Sequence, residues 1–297
     1  MSYLCSPATA KTASRRRGRR AAACAAVLLS SVTTLFSLGA LHAPPAAAAT
    51  GAPAGQAPAA AQPRSTAHVT SAVLDLDGAS REPAVYGEDV PYDTASIIKV
   101  DILAALLLQA QDAGRHLTAQ ERAHAEPMIR HSDNTAANAL WRQIGQAPGL
   151  ETANKRLGLT ATKGGPGPKW GLTQTTARDQ IQLLRAVFDG GTANAAAGAL
   201  NEESRTYIHT LMSRVADDQA WGVSAAAGSE WALKNGWLQR NTTGLWDVNS
   251  VGRITAGGHH YLVAVLSNGN ASMSDGVALV EKTARQALSS ASGHNQH

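Results

Sequence analysis

Strand-like patterns stand at the two ends of the folded part of this sequence, and helix-like patterns fill the middle. Residues 68–77 alternate apolar and polar side chains as a half-buried strand does, and residues 83–87 indicate a second, weaker strand after a turn. Strand patterns return at three later places: 231–234, 245–254 and 261–266. This arrangement predicts one antiparallel sheet whose strands come from both ends of the folded chain.

Helical periodicity covers most of the sequence between these strands. Apolar residues recur at helical spacing from Ile97 to Leu107, and the pattern stops at Gly114. Further helices are predicted at 121–131, 134–144, 150–157, 176–188, 204–212 and 274–287. The expected fold class is α/β (α+β), with an antiparallel sheet flanked by N- and C-terminal helices and an all-helical lobe inserted.

The first 49 residues have the order of an export signal. Six of the 26 Lys and Arg residues lie before residue 21, an apolar stretch covers 21–40, and small residues fill 44–49. Cleavage near Ala48 or Ala49 predicts a secreted, extracytoplasmic protein. An uncleaved segment is long enough to tether the protein as a single anchor, and no other membrane contact is expected.

Charge and cysteine positions exclude several function classes. Past residue 49 the chain holds 20 basic and 22 acidic residues, so no basic surface for nucleic acid is expected. Both cysteines, Cys5 and Cys24, lie in the signal, which excludes a thiol enzyme or a cysteine-ligated zinc site in the mature protein. No metal-ligand spacing is present, and His259 and His260 are interpreted as surface residues. We expect a monomer without metal or cofactor.

The composition of the chain changes at few places, and these set the predicted boundaries. Residues 50–64 are almost wholly Ala, Pro, Gly and Gln, which is typical of a tether. The predicted segments are an export signal at 1–49, a linker at 50–64, a domain at 65–290 with a sheet lobe (65–95 and 205–290) and a helical lobe (96–204), and a polar tail at 291–297.

Ser96 and Lys99 lie three residues apart at the start of the first long helix, so their side chains share a face about 4.5 Å apart along the axis. A serine hydroxyl is a poor nucleophile until a base takes its proton, and a lysine with a lowered pKa can be that base. An amphipathic helix that happens to begin with serine would show the same pair.

Two more short motifs follow at long intervals. Ser132-Asp133-Asn134 lies between two predicted helices, 36 residues after Ser96, and Lys234-Asn235-Gly236 ends a predicted strand 102 residues later. Alone, the first is also an ordinary N-cap cluster, and the second an edge-strand lysine with a turn. Together the three motifs are far more specific than each one separately.

In this order the motifs resemble the signature of the penicillin-recognising serine hydrolases, the class A β-lactamases and D-alanyl-D-alanine peptidases. Ser132-Asp-Asn-Thr-Ala-Ala-Asn138 and Trp170-Gly-Leu-Thr-Gln-Thr-Thr176 resemble class A sequences too, over about residues 65–290. The resemblance implies a β-lactamase/transpeptidase-like fold. It also implies a serine hydrolase that forms an acyl-enzyme on Ser96 and hydrolyses the amide bond of β-lactams. The small-molecule partner that it implies is a β-lactam or a D-alanyl peptide. Because of the signal at 1–49, we expect this enzyme to be exported.

The resemblance also implies roles for individual residues. Ser96 would be the acylated nucleophile, and Lys99 would accept its proton. Ser132 would relay a proton to the leaving nitrogen, and Lys234 would bind the substrate carboxylate. The backbone N–H groups of Ser96 and Trp237 would form the oxyanion hole. Substrate contacts are implied for Asn134, Asn235 and Gly236.

The sequence departs from the family pattern at two places. Asn235 replaces the usual Thr or Ser, and residues 152–178 contain no Asp or Glu where class A enzymes carry the glutamate that activates water. Glu151 and Asp179 are interpreted as helix charges. Two alternatives therefore stay open: a D-alanyl-D-alanine carboxypeptidase or esterase, and a non-catalytic module that binds penicillin or cell wall.

Overall fold

The structure is a computed structural model that describes residues 66–190 and 199–294. The predicted export signal at 1–49 and linker at 50–64 lie outside the described residues. The predicted N-terminal flanking helix, if it precedes the first strand, also lies outside them. Within the described ranges, no helix combines the length and the apolar character needed to cross a membrane.

The described elements follow the predicted order closely. The strands are β1 (His68–Asp75), β2 (Ala84–Tyr86), β3 (Tyr92–Asp93), β4 (Gln174–Thr175), β5 (Trp231–Gln239), β6 (Trp246–Ala256) and β7 (His259–Asn270). The helices are α1 (Ile98–Asp112), α2 (Ala119–Arg130), α3 (Asn134–Gln143), α4 (Gln146–Leu157), α5 (Ala177–Phe188), α6 (Glu202–Met212) and α7 (Met273–His294). Helix α7 runs seven residues beyond the predicted helix end and into the predicted polar tail.

Five strands form one antiparallel sheet in the order β2-β1-β7-β6-β5. The central strand β7 pairs with β1 along the whole length of β1, for example Ala72 with Ala264. Strand β5 lies at one edge, so one side of its backbone has no strand partner in the described sheet. The predicted class, an α+β fold with an antiparallel sheet and helices, is confirmed. The division into a sheet lobe and a helical lobe stays a prediction.

The sheet separates two apolar cores. On one face, alternate strand residues such as Ala232 pack with the helices of the middle of the chain. On the other face, the intervening residues, such as Leu233, pack against α7. Helix α1 lies in the first core and is buried almost all round, so it is a central helix rather than an amphipathic surface helix. The residues at the N-terminus of α1 are therefore held in a fixed position relative to the sheet.

A carboxyl group is buried in the first core, on the first turn of α1. Asp101 is fully buried, and the Asn154 amide, with its nitrogen turned toward Asp101, donates to both carboxyl oxygens at 3.0 and 3.1 Å. Burial raises the pKa of Asp101 to about 8, and the nearby Asp179 charge adds to this rise. The carboxyl group is therefore protonated in the folded protein at neutral pH.

This burial makes the folded protein less stable as the pH rises. The unfolded Asp101 ionises near its ordinary pKa, whereas the folded one keeps its proton up to about pH 8. The free energy of unfolding therefore falls between about pH 4 and pH 8. We expect Asp101→Asn to be more stable than the parent by about 1–3 kcal/mol at pH 8, with a smaller difference at pH 5. Urea unfolding at the two pH values measures this.

The exposed Asp217 offers a matched control, because Asp217→Asn removes a carboxylate without touching the core. It should change the free energy of unfolding equally at both pH values. A difference between Asp101→Asn and the parent that stays constant from pH 5 to pH 8 would contradict the buried, protonated carboxyl.

Candidate active site

Ser96 lies in a short 3-10 helix, Ala95–Ile97, that joins β3 to α1. Ala95 has a φ of +47°, a left-handed conformation that alanine rarely adopts. The turn is held from the sheet, because the Asn249 side-chain amide on β6 donates to the carbonyl oxygens of Asp93 and Thr94 at 2.9 and 3.1 Å. Strained backbone of this kind is typical of functional sites, and here it presents Ser96 half-buried at the surface.

The Lys99 amine is fully buried one turn further along α1. It donates to the Ser132 carbonyl oxygen at 2.6 Å, the Ser132 hydroxyl at 3.1 Å and Asn134 Oδ1 at 2.8 Å. Burial lowers the pKa of Lys99 to about 7, although the Asp133 charge opposes this shift. A substantial fraction of Lys99 is therefore neutral near pH 7, as a proton acceptor must be.

Ser132 stands between α2 and α3 with a φ of +55°, another left-handed residue. The Asp133 carboxylate caps α3 by accepting from the Ala136 N–H at 2.7 Å, so the motif is an N-cap as well as a candidate site. Lys234 Nζ donates to the Ser132 hydroxyl at 3.1 Å and to the Asn235 carbonyl oxygen at 2.9 Å. The Ser132 oxygen thus accepts from two amines, which leaves its own proton free to be donated.

The Lys234 side chain is fully buried on β5. Its burial lowers the pKa of Lys234 well below the ordinary value, and the neighbouring Lys99 charge lowers it further. The structure thus brings together Lys99, Ser132, Asn134 and Lys234, which the sequence places on separate segments. The Ser96 hydroxyl, in contrast, has no hydrogen-bond partner among the described residues. Catalytic contacts in ligand-free sites are often loose in this way.

The β5 backbone lies directly against the Ser96 turn. A Cβ atom added at Gly236 would stand 2.6 Å from the Ser96 nitrogen and 2.8 Å from the Thr94 carbonyl oxygen. Only glycine allows this close approach. Trp237 follows on the edge strand, and it lines the same cavity as Ser96. The oxyanion hole formed by the Ser96 and Trp237 N–H groups, and the substrate contact of Gly236, stay predictions.

The structure corrects the expectation for Asn235, whose side chain was expected to contact substrate. Asn235 is fully buried, and its amide donates to the carbonyl oxygens of Gln219 and Trp221, both at 2.8 Å. Successive side chains of a strand point to opposite faces of the sheet. Lys234 therefore faces the Ser132 side, and Asn235 faces the side on which α7 packs.

A cavity of about 650 Å³ opens above the Ser96 turn. Its lining residues include Ser96, Asn134, Asn138, Trp170, Trp237 and Arg240. Three of these, Asn138, Trp170 and Arg240, were not predicted as site residues. Asn138 and Trp170 lie in the two segments that carry the family resemblance, which was the available signal. Arg240 forms an ion pair with Asp93 beneath the cavity.

Among the residues that the structure describes, a group that could hold a metal lies elsewhere, at the ends of β1 and β7 that meet in the sheet. Asp75, Asp77 and His259 could bring their ligand atoms within 4.8 Å of one another. His259 contacts Asp75 at 3.0 Å, and His260 contacts Asp77 at 2.9 Å. The two histidines were expected at the surface, and both are partly exposed there, each beside an aspartate. None of the predicted site residues belongs to this cluster.

A model of the beta-lactamase enzyme family matches residues 108–291, more than half of the chain. This chain belongs to the beta-lactamase enzyme family. The matched segment contains Ser132, Asn134 and Lys234 and begins after Ser96 and Lys99. The prediction of a β-lactamase-like serine hydrolase is confirmed at the level of this family.

Solved structures with the same fold include both β-lactamases and a protein named PBP-A. A point mutant of PBP-A, in an acyl-enzyme complex with penicillin G, is 23% identical with a TM-score of 0.62, covering 75% of this chain and 91% of that one. TLA-1 extended-spectrum β-lactamase is 18% identical with a TM-score of 0.62, covering 75% and 94%. A β-lactamase from Chitinophaga pinensis is 16% identical with a TM-score of 0.62, covering 76% and 94%. At these identities the likeness establishes the fold.

Among curated proteins, the chain is similar to "Putative lipoprotein LppW" of Mycobacterium tuberculosis. The two are 31% identical over 122 residues, which is 41% of this chain. The match spans only 38% of the length of that relative. A relative of the same name from Mycobacterium bovis matches to the same extent.

The close approach of Gly236 to the Ser96 turn gives a prediction. In Gly236→Ala the new methyl group meets backbone atoms, which cannot move without shifting the β5 strand or the turn. We expect the free energy of unfolding to fall by about 1–3 kcal/mol, and the predicted acylation of Ser96 to slow at least tenfold. Thermal unfolding and the rate of labelling by a β-lactam measure the two effects.

Gly228→Ala is the control, because a Cβ there would make only ordinary contacts, the nearest at 3.5 Å. This variant should resemble the parent in both measurements. A Gly236→Ala protein with parental stability and parental labelling would contradict the described packing of β5.

Proposed function

We propose that this member of the beta-lactamase family attacks the carbonyl carbon of a β-lactam or D-alanyl amide through Ser96 and forms an acyl-enzyme. The observation that carries the proposal is the Ser132 hydroxyl shared by two buried amines, Lys99 and Lys234, beside a nucleophile in a strained turn. This arrangement supplies a proton acceptor and a proton donor within one site. No Asp or Glu is among the described residues that line the cavity.

Acylation follows from the protonation states. Neutral Lys99 takes the proton of Ser96, whose oxygen adds to the carbonyl carbon. The carbon–nitrogen bond then breaks, and the leaving nitrogen takes the proton of Ser132. Ser132 recovers a proton from Lys99, to which it is already hydrogen-bonded at 3.1 Å. Asn134 lies exposed at the cavity, where its amide can hold the substrate.

Two observations favour slow release of the acyl group. The segment 152–178, which includes the loop beside the site, carries no carboxylate, and the cavity residues supply none. Water therefore lacks an ordinary general base. A lasting adduct with β-lactams is therefore the expected outcome. Turnover would then be expected with D-alanyl-D-alanine peptides or with esters. A D-alanyl-D-alanine carboxypeptidase or esterase is therefore our second candidate function.

We also propose that the protein acts outside the cytoplasm. The order of charged, apolar and small residues over 1–49 supports export. The name of the curated relatives, which calls them lipoproteins, supports a location at a membrane surface.

The first test is a time course of intact mass after mixing the full chain with benzylpenicillin, while the β-lactam absorbance is followed. We expect a mass increase equal to one penicillin on the parent and none on Ser96→Ala, with little loss of free β-lactam. Acylation needs the Ser96 oxygen, so an adduct of equal yield on both proteins would overturn the proposal. Rapid β-lactam loss without an adduct would favour a turning-over β-lactamase instead.

The lowered pKa of Lys99 predicts the pH dependence of acylation. Only the neutral amine can accept the Ser96 proton, and its fraction rises with pH through the pKa of about 7. The second-order rate constant of acylation should therefore rise about tenfold per pH unit well below pH 7 and level off above it. Stopped-flow measurements from pH 5.5 to 9 check this, and a rate that falls across that range would contradict the role of Lys99.

A further inference from the structure

One side of the Lys99 amine faces hydrogen-bond acceptors, and another faces an aromatic ring. The acceptors come from Ser132 and Asn134, whereas the Trp170 ring centroid lies 4.8 Å from Lys99 Nζ. A cation over an aromatic face at this distance is attracted to it. Trp170 lines the cavity above Ser96, and Lys99 does not. The indole therefore lies between the amine and the cavity.

Trp170 is fixed in place from several directions. Its indole N–H donates to Asn138 Oδ1 at 2.8 Å, on the helix that follows Ser132. The short 3-10 helix Trp170–Leu172 is closed by the Thr173 N–H, which donates to the Trp170 carbonyl oxygen at 3.0 Å. The Thr173 carbonyl oxygen in turn accepts from the Thr94 N–H at 2.8 Å, beside the Ser96 turn. The ring and the nucleophile are thus held in one hydrogen-bonded unit.

Hydrolysis of an ester on Ser96 needs a water molecule and a proton acceptor. The water oxygen adds to the ester carbonyl carbon, the bond to Ser96 Oγ breaks, and one water proton passes to that oxygen. A general base accelerates such a step by about 10²–10⁴-fold. The cavity lining holds no carboxylate among the described residues. Lys99, three residues after Ser96, is a buried amine that could accept the water proton, but it is covered.

We propose that Trp170 is a positioning residue that prolongs the acyl-enzyme. Its indole keeps water away from Lys99, so the ester on Ser96 is hydrolysed much more slowly than it forms. This role rests on the proposed acylation of Ser96. If Trp170 merely filled space, its replacement would leave the ester lifetime unchanged. If it shields Lys99, its replacement by a small or polar residue shortens that lifetime.

The first experiment tests the shield in the free protein. Cyanate carbamylates neutral amines, and peptide mass spectrometry locates the labelled lysines. We expect Lys99 to react at least tenfold faster in Trp170→Ala than in the parent. Lys234 is the internal control, because it is fully buried and its hydrogen bonds go to Ser132 and Asn235. Equal labelling of Lys99 in the two folded proteins would overturn the proposal.

The second experiment compares the lifetimes of the penicillin adduct in four variants, each checked by thermal unfolding. Trp170→Phe keeps a ring and should keep the parental lifetime within about threefold. Trp170→Ala and Trp170→Gln uncover Lys99 and should shorten the lifetime at least tenfold. Trp170→Glu matches Gln in shape but adds a carboxylate base, so it should release the acyl group at least tenfold faster than Gln. Acylation rates should change much less than these release rates.

Trp231→Ala is the matched control, since Trp231 is a partly buried tryptophan at the opposite end of β5. Its adduct should last as long as that of the parent. Unchanged lifetimes in Trp170→Ala and Trp170→Gln, with normal acylation, would overturn the role of Trp170 alone. Absence of any adduct on the parent would instead overturn the function assigned to Ser96, and this role with it.

Discussion

Two buried lysine amines meet at one serine hydroxyl, and the arrangement of the site depends on that meeting. Removing a charged amine from water is costly unless polar partners replace the water. Lys99 therefore requires the Ser132 and Asn134 oxygens, and Lys234 requires Ser132 and the Asn235 carbonyl oxygen. These amines and oxygens come from α1, the α2–α3 connection, the first residue of α3 and β5. The helices that carry Lys99 and Asn134 must consequently keep a fixed position relative to the edge strand β5, because only then do both amines keep their hydrogen-bond acceptors.

The same requirement explains why the β5 edge is packed so tightly on the Ser96 turn. Lys234 can reach Ser132 only if β5 lies close to α1, and Gly236 provides that approach. Alternation along the strand then decides the neighbouring positions. Asn235 points to the other face, where it satisfies two carbonyl oxygens of the segment before β5 and ties that segment to the sheet. A residue of the family motif is thus structural in this chain.

Sequence patterns predicted the five strands of the main sheet, the seven described α-helices and the four polar groups that meet in the site, because periodicity and short motifs are local properties. Other features depend on tertiary contacts. The direction of Asn235 follows from the register of β5, and the two-residue strands β3 and β4 are too short to show a period. The place of Trp170 over Lys99 depends on how the Gly- and Pro-rich loop folds back. Its sequence marked a loop, but only the hydrogen bonds to Asn138 and the Ser96 turn fix the ring.

Ala95 and Ser132 both adopt left-handed backbone conformations, one beside the nucleophile and one beside the two amines. Such residues cost about 1–3 kcal/mol each, and this cost is met once, when the chain folds. Because the backbone already has its strained conformation in the folded protein, the site needs little rearrangement at each reaction. The consequence concerns the evolution of this chain: substitutions that relax either residue would gain stability and loosen the site. Selection for robustness and selection for reactivity therefore act in opposite directions at these two positions.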